Sequence, residues 1–393
     1  METNGPSGQN ENCVRVLEVI GNASLGGMET YIQNFISHLP PDQYKLTCIC
    51  PYESRFTASL RNLNVEEVYI TPIEDDPIWR SIQLAVEIGR LHQADVLHAH
   101  MPKAHVLAGL AGLLLKKPVV ASVHGMNVTS QEFGITRALG THLITNCQEA
   151  YSQALAMGLS PERIDIVRNA VDTDVFAPRH NNKLRSSINI SPDTPLVGFV
   201  GRLDEEKGPD LFLRAAQYVY RLRPDVHFIL AGEGLMKDEL QDMCRSFHME
   251  DHVHFLGWMN PAEVYPELDV LAHTSRSDGT SLVLLEAMAC ECPTVGIAVG
   301  GVREIIEDGN TGLLAGVGDW QNVGAKIIRL LDNPEWLRDM GIAARARVEE
   351  YFNLKVNALR TANVLKRIAF PVTNGHKLAD NKTLSKKISS RTV

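Results

Sequence analysis

Arg202 and Lys207 stand close together in the run Gly201-Arg202-Leu203-Asp204-Glu205-Glu206-Lys207-Gly208. A guanidinium offers a planar fork matched to phosphate oxygens, and an ammonium nearby adds a mobile point charge. Placed between an apolar run and a helix, the pair could neutralise a diphosphate. A surface ion-pair cluster with Asp204, Glu205 and Glu206 accounts for the same residues equally well. Further on, Asp278-Gly279-Thr280-Ser281-Leu282 leads into an apolar helical run that contains Glu286. A carboxylate there is costly unless hydrogen-bonded, and the vicinal hydroxyls of a ribose are a suitable partner. The free amides around Gly279, Thr280, Ser281 and Leu282 suit a diphosphate. The loop from Gly21 to Glu29 contains Gly26 and Gly27, which let backbone approach a ligand, although a tight turn without a ligand explains it as well. His124 closes the apolar run Pro118–Val123 and precedes Gly125, as a cleft histidine would.

Other candidates are weaker. His98, His100 and His105 cluster in sequence, but His98 and His100 are expected on opposite faces of a strand, which argues against a shared metal; His100 alone could line a cleft. Trp258 follows a strand pattern and could neighbour a base or simply pack. Asn127, Glu132 and Arg137 are candidates for contact with a second substrate. Neither Gly21–Gly27 nor Gly232-Glu233-Gly234 has the glycine spacing of a dinucleotide fingerprint.

The elements that must hold these residues alternate along the chain. Short apolar runs at 14–20, 45–50, 65–70, 95–98, 118–123 and 142–145 are separated by helix-length amphipathic segments such as 27–39 and 78–92. A second series begins at 195–201 and continues at 226–231, 252–256, 270–274 and 293–297. This pattern predicts α/β architecture with parallel sheets: two doubly wound domains facing a cleft, with ligands bound at the carboxyl ends of the strands. The expected division is a disordered 1–12, a first domain over 13–180, a second over 181–350, a helix over 351–370 that could cross back to the first domain, and a basic tail over 371–393. The segment 169–178 is the natural hinge.

The 393 residues are too many for one ordinary core. A net charge of −9 gives no global attraction for nucleic acid, so an anion site must be a local cationic feature. Seven scattered cysteines without metal-type spacing predict free thiols in a reducing cytoplasm. With no apolar leader or span-length run, the expectation is a soluble cytoplasmic protein. The basic tail reads as solvated, with peripheral contact at the inner membrane surface as the alternative.

Taken in order, these motifs resemble glycosyltransferase family 4. Asp278 to Glu286 with Ala287-Met288-Ala289 and Pro293 looks like its E-x7-E signature. Gly201-Arg202…Lys207-Gly208 is similar to its phosphate-binding motif, Gly26-Gly27-Met28-Glu29 to its N-terminal glycine loop, His124-Gly125 to its active-site histidine, and Asn169-Ala-Val-Asp172…Phe176 to its interdomain segment. The resemblance implies a GT-B fold, with two Rossmann-like domains, and retaining transfer of a sugar from a nucleotide-sugar donor, UDP-sugar by default and GDP-mannose otherwise. The acceptor would be a glycan, a lipid-linked or a small molecule. It further implies that Arg202 and Lys207 hold the diphosphate, Glu286 the ribose and Asp278 the sugar hydroxyls. His124 would lie against the sugar, Gly27 would admit the phosphates, and no metal or other cofactor would be needed. Two departures stand out. Asp278 is one methylene shorter than the usual Glu, and Glu291 sits where a left-handed helix end favours Gly. Rival readings are a nucleotide-sugar 2-epimerase and a non-catalytic nucleotide-sugar-binding protein.

Overall fold

The computed structural model describes residues 13–24, 26–179 and 182–371; the expectations for 1–12 and for 372–393 lie outside the described residues. The first half carries seven strands: β1 (Val14–Ile20), β2 (Tyr44–Cys50), β3 (Glu67–Ile70), β4 (Val96–His100), β5 (Val119–Val123), β6 (His142–Thr145) and β7 (Ile164–Ile166). The second carries six: β8 (Leu196–Val200), β9 (His227–Ala231), β10 (Val253–Gly257), β11 (Val270–His273), β12 (Thr294–Ile297) and β13 (Leu313–Ala315). All pair in parallel, in the orders β3-β2-β1-β4-β5-β6-β7 and β10-β9-β8-β11-β12-β13. These are two Rossmann-like sheets, each reversing direction once, between β1 and β4 and between β8 and β11.

That reversal positions the site. In a doubly wound sheet the crevice lies beyond the carboxyl ends of the strands at the switch point. The loops leaving β1, β8 and β11 are the glycine loop, the Arg202–Lys207 loop and the Asp278 loop. Three of the sequence-marked stretches therefore stand at the two switch points.

Alternation along the strands explains the layers. Leu17, Val19, Leu97, Ala99 and Ala121 bury one face of the first sheet under the helices Trp79–Leu91 and Pro102–Leu115. Val14, Val16, Ile20 and Val96 bury the other under the helix Gly27–Ser37. The chain's last described helix, Leu354–Ala369, packs on that same face through Ala358, Ala362 and Leu365. Leu365 is wholly buried, a contribution of about 2 kcal/mol. The two crossings between halves run side by side: Val171 N–H donates to Phe352 O at 3.0 Å and Leu354 N–H to Val171 O at 3.2 Å. The seven cysteines are all free, and six are buried. Among the described residues no helix is long and apolar enough to cross a membrane.

Two strands escape the sequence pattern. β7 and β13 are three residues each, too short to show a period, and β7 is interrupted by Asp165.

Candidate active site

Lys207 and Asp278 meet although 71 residues separate them: Nζ donates to Oδ2 at 3.1 Å. His273, the last residue of β11, places Nε2 3.1 Å from the same oxygen. Burial alone would raise the Asp278 carboxyl, but the His273 hydrogen bond and the Lys207 charge outweigh it and hold it far below the usual range. Ser275 and Ser281 hydroxyls lie 3.2 Å from His273 Nε2, and its Nδ1 is buried without a partner. His273 carries no spacing signal that sequence reading could have used.

The two loops are held together by Gly208. It has φ +66°, and a Cβ there would stand 2.2 Å from the Thr274 carbonyl oxygen, whose own hydroxyl donates to Gly208 O at 2.8 Å. Neither conformation nor space admits a side chain. Gly208→Ala should lower stability by about 2 kcal/mol or more, read as a fall in denaturation midpoint at unchanged m-value.

Arg202 takes a different place. Its side chain is 60% exposed and pairs with Asp204 at 3.0 Å and Glu206 at 3.1 Å rather than with Asp278. Across the cleft, Glu29 is buried in the glycine-loop helix and accepts from Asn22 Nδ2 at 2.8 Å. Burial raises its pKa, while Arg202 is near enough for its charge to oppose that rise. Gly26 caps the helix that Gly27 begins, and a Cβ on Gly27 would meet nothing within 4 Å. The space beside Gly27 is open, as a ligand would require.

Ser281 caps the helix Leu282–Ala289, in which Glu286 is 8% exposed. Its Oε2 accepts from Tyr265 Oη at 3.0 Å. Burial pushes this carboxyl up to about 7, opposed only by that hydrogen bond. At the end of the same helix Glu291 has φ +59°, the left-handed form expected there, held by a non-glycine residue.

The halves touch around Asn146, just after β6. Its Nδ2 donates to His124 O at 2.7 Å, its own carbonyl accepts from Thr280 Oγ1, and Oδ1 is buried without a partner. A Cβ on Gly279 would meet the Asn146 amide at 2.6 Å, and Asn169 Nδ2 donates to Thr280 O at 2.8 Å. Thr280 thus bridges the halves through both its hydroxyl and its carbonyl. In sequence Asn146 reads as an ordinary polar residue ending a strand.

The histidine expectation needs correction. His98 and His100 are two apart on β4, so they share a face, because side chains alternate with a period of two. Both are wholly buried against Glu18 of β1, and the three offer ligand atoms within 4.8 Å of one another. His105 belongs to the following helix and bonds Thr141 Oγ1 at 2.8 Å. Glu132 is buried and its carboxylate caps its own helix at Thr129, which removes it from second-substrate candidates. Trp258 is 74% exposed. A cavity of about 480 Å³ lined by Arg15, Arg90, Lys116 and Lys117 opens at the amino ends of the first sheet's strands, the edge opposite these loops.

Two Rossmann-like parallel sheets with these loops at their switch points form the GT-B fold. The model of Glycosyltransferase Family 4 matches residues 25–175 and that of Glycosyl transferases group 1 matches 180–347. Together they span most of the chain, which belongs to glycosyltransferase family 4. The N-acetyl-alpha-D-glucosaminyl L-malate synthase of Bacillus anthracis is 29% identical over 68% of this chain and 73% of its own length. A D-inositol 3-phosphate glycosyltransferase of Segniliparus rotundus is 30% identical over 65% of this chain and 62% of its own. Among solved structures, HepE of Anabaena in complex with UDP superposes with TM-score 0.79 at 22% identity, over 90% of this chain and all of HepE. A glycosyltransferase of Rickettsia africae gives 0.80 at 16% identity, over 91% and 99%.

Proposed function

We propose that this glycosyltransferase is retaining and moves a sugar from a nucleoside diphosphate donor, a UDP-sugar in preference to GDP-mannose, to an acceptor hydroxyl. The observation that carries the reading is the convergence at the β8 and β11 switch point. Lys207 and Asp278 meet just before the amino end of the Leu282–Ala289 helix, Glu286 is buried within that helix, and Arg202 stands exposed on the loop after β8. HepE of Anabaena has been crystallised with UDP and with UDP-glucose, which supports the choice of base. The names of the curated relatives favour a small hydroxylated acceptor, malate or an inositol phosphate.

In this reading Arg202, Lys207 and the amides of Gly279, Thr280, Ser281 and Leu282 take up charge on the departing diphosphate, the role a metal ion has elsewhere. Gly26 and Gly27 admit the phosphates from the other side. Glu286 accepts from the ribose hydroxyls. Asp278 contacts the donor sugar; its short side chain reaches ~1.5 Å less than Glu, and His273 and Lys207 fix where it ends. His124 lies against the sugar, its carbonyl held by Asn146. The acceptor attacks from the face the nucleotide leaves, a diphosphate oxygen takes the acceptor proton, and closure about 169–178 excludes water.

The test is product analysis by proton NMR with α-linked UDP-sugars, with and without malate, inositol phosphate and oligosaccharide acceptors. An α-glycoside formed only with acceptor is the expected result. A β-glycoside overturns retention, and a donor isomerised without acceptor would make the protein a 2-epimerase.

A further inference from the structure

Under the helix Gly27–Ser37 a chain of buried polar groups runs across three strands to His124. In the sheet register Glu18 lies beside His98, Ile20 beside His100, and His100 beside Ser122. Glu18 Oε1 is 3.1 Å from His98 Nδ1, and Oε2 is 2.9 Å from His100 Nε2. His98 Nε2 is 2.8 Å from Ser122 Oγ, and His100 Nδ1 is 2.9 Å from His124 Nε2. Phe35 stacks edge-on to His98, and Tyr31 packs on His124 with centroids 5.1 Å apart. Tyr31 is in turn anchored by its hydroxyl, 3.0 Å from Thr361 Oγ1 of the terminal helix.

The donor pattern along this chain has one solution. Burial by itself would raise the Glu18 carboxyl, but the two imidazoles reverse that and hold it at about 2. Glu18 is therefore ionised and can only accept, so both imidazoles donate to it. Burial lowers His100 to about 4, so the ring is neutral and its single proton sits on Nε2. Its Nδ1 must then accept, and the proton in the 2.9 Å contact belongs to His124 Nε2. Burial keeps His124 neutral as well. Its Nδ1 is left bare, and among the described residues no protein group is bonded to it.

We propose that Glu18 and His100 are positioning residues that lock His124 in its Nε2–H tautomer, so that Nδ1 accepts from a donor-sugar hydroxyl and the enzyme selects neutral hexose or N-acetylhexosamine donors over uronic acids. The sugar selection rests on the donor-site reading above; the tautomer does not. A carboxylate facing Nδ1 would bring two acceptors together with no proton between them, beside a chain that already carries the Glu18 charge. The same three ligand atoms could bridge a divalent cation, but every one already has a partner in the hydrogen-bond chain.

The test uses the full chain. Long-range ¹⁵N–¹H imidazole spectra without any donor should show His124 protonated at Nε2 and bare at Nδ1. In Glu18→Gln the amide has one donor and one acceptor; turned with its NH2 toward His100 Nε2 it reverses the chain and makes His124 the Nδ1–H tautomer, and the variant's own spectrum shows which way it has turned. That variant should lose about 10²-fold in kcat with UDP-glucose at nearly unchanged free-UDP affinity. Its preference for UDP-glucose over UDP-glucuronate should shrink by about 10-fold or more. If Glu18→Gln does not fold, the wild-type spectrum still decides the tautomer. A wild-type His124 protonated at Nδ1, or one equivalent of zinc by elemental analysis, would overturn the relay. Reversed tautomer with unchanged donor preference would overturn the sugar selection. Failure of every nucleotide-sugar to bind would instead sink the donor-site reading, while the spectrum stands.

Discussion

Replacing Arg202 by alanine should lower kcat by about 10²-fold or more, while the melting temperature stays within the range of an ordinary surface change. The two halves of that expectation come from the same geometry. The Arg202 side chain is 60% exposed and its partners Asp204 and Glu206 are exposed or half-buried neighbours on its own loop. Such pairs contribute about 0–1 kcal/mol, so the fold loses little when they go. For the same reason the guanidinium can leave them for an anion at low cost. In the transition state the diphosphate gains charge, and a donor fixed where that charge develops matters more than one that binds the ground state equally. Arg202→Lys should recover only part of the loss, because an ammonium cannot reproduce the fork. Steady-state kinetics with saturating UDP-sugar, beside a thermal melt, separates the effects. Near-normal turnover in Arg202→Ala would remove it from the site.

Glu286→Gln is expected to make the protein more stable and worse at binding. Burial raises the Glu286 carboxyl to about 7 in the folded protein, above the ~4.3 of an unfolded chain. The folded state therefore holds this proton more tightly. Its ionisation costs stability that grows from about pH 4.3 to about pH 7 and is constant above that. The cost reaches up to about 3 kcal/mol at pH 8, and Gln removes it. At pH 4 the two proteins should melt alike. Binding runs the other way. Ribose hydroxyls need the carboxylate, so wild-type affinity for UDP should fall by about tenfold per pH unit below 7. In Glu286→Gln it should be weaker by about 10- to 100-fold at pH 8 and flat with pH. Stability gained without loss of UDP affinity would mean that Glu286 is a packing defect and not a ligand.

Much of this site could be read from sequence because its residues sit in contiguous runs that punctuate strong apolar patterns. Lys207 and Asp278 each announce themselves after a strand, and Glu286 is conspicuous inside Leu282–Ala289. Gly208 ends the cationic run before a helix, but the left-handed turn it makes there shows only in the structure. What could not be read depends on pairing between distant strands. Glu18 looks like one acid in a β-branched run until the β1–β4 register sets it beside His98. Asn146 becomes notable only when the two halves close on it, and His273 only when Asp278 folds back over β11. The shared face of His98 and His100 is a different case. The period-two rule that built the strands already placed them on one face.

Calorimetric titration is the most direct test of a nucleotide-sugar site at the β8–β11 switch point. UDP, GDP and a panel of UDP- and GDP-sugars would be titrated into wild type and Arg202→Ala. Uridine nucleotides should bind the wild type, and the variant should lose most of that affinity. Heats indistinguishable from dilution for every nucleotide at millimolar concentration, or equal binding by both proteins, would contradict it.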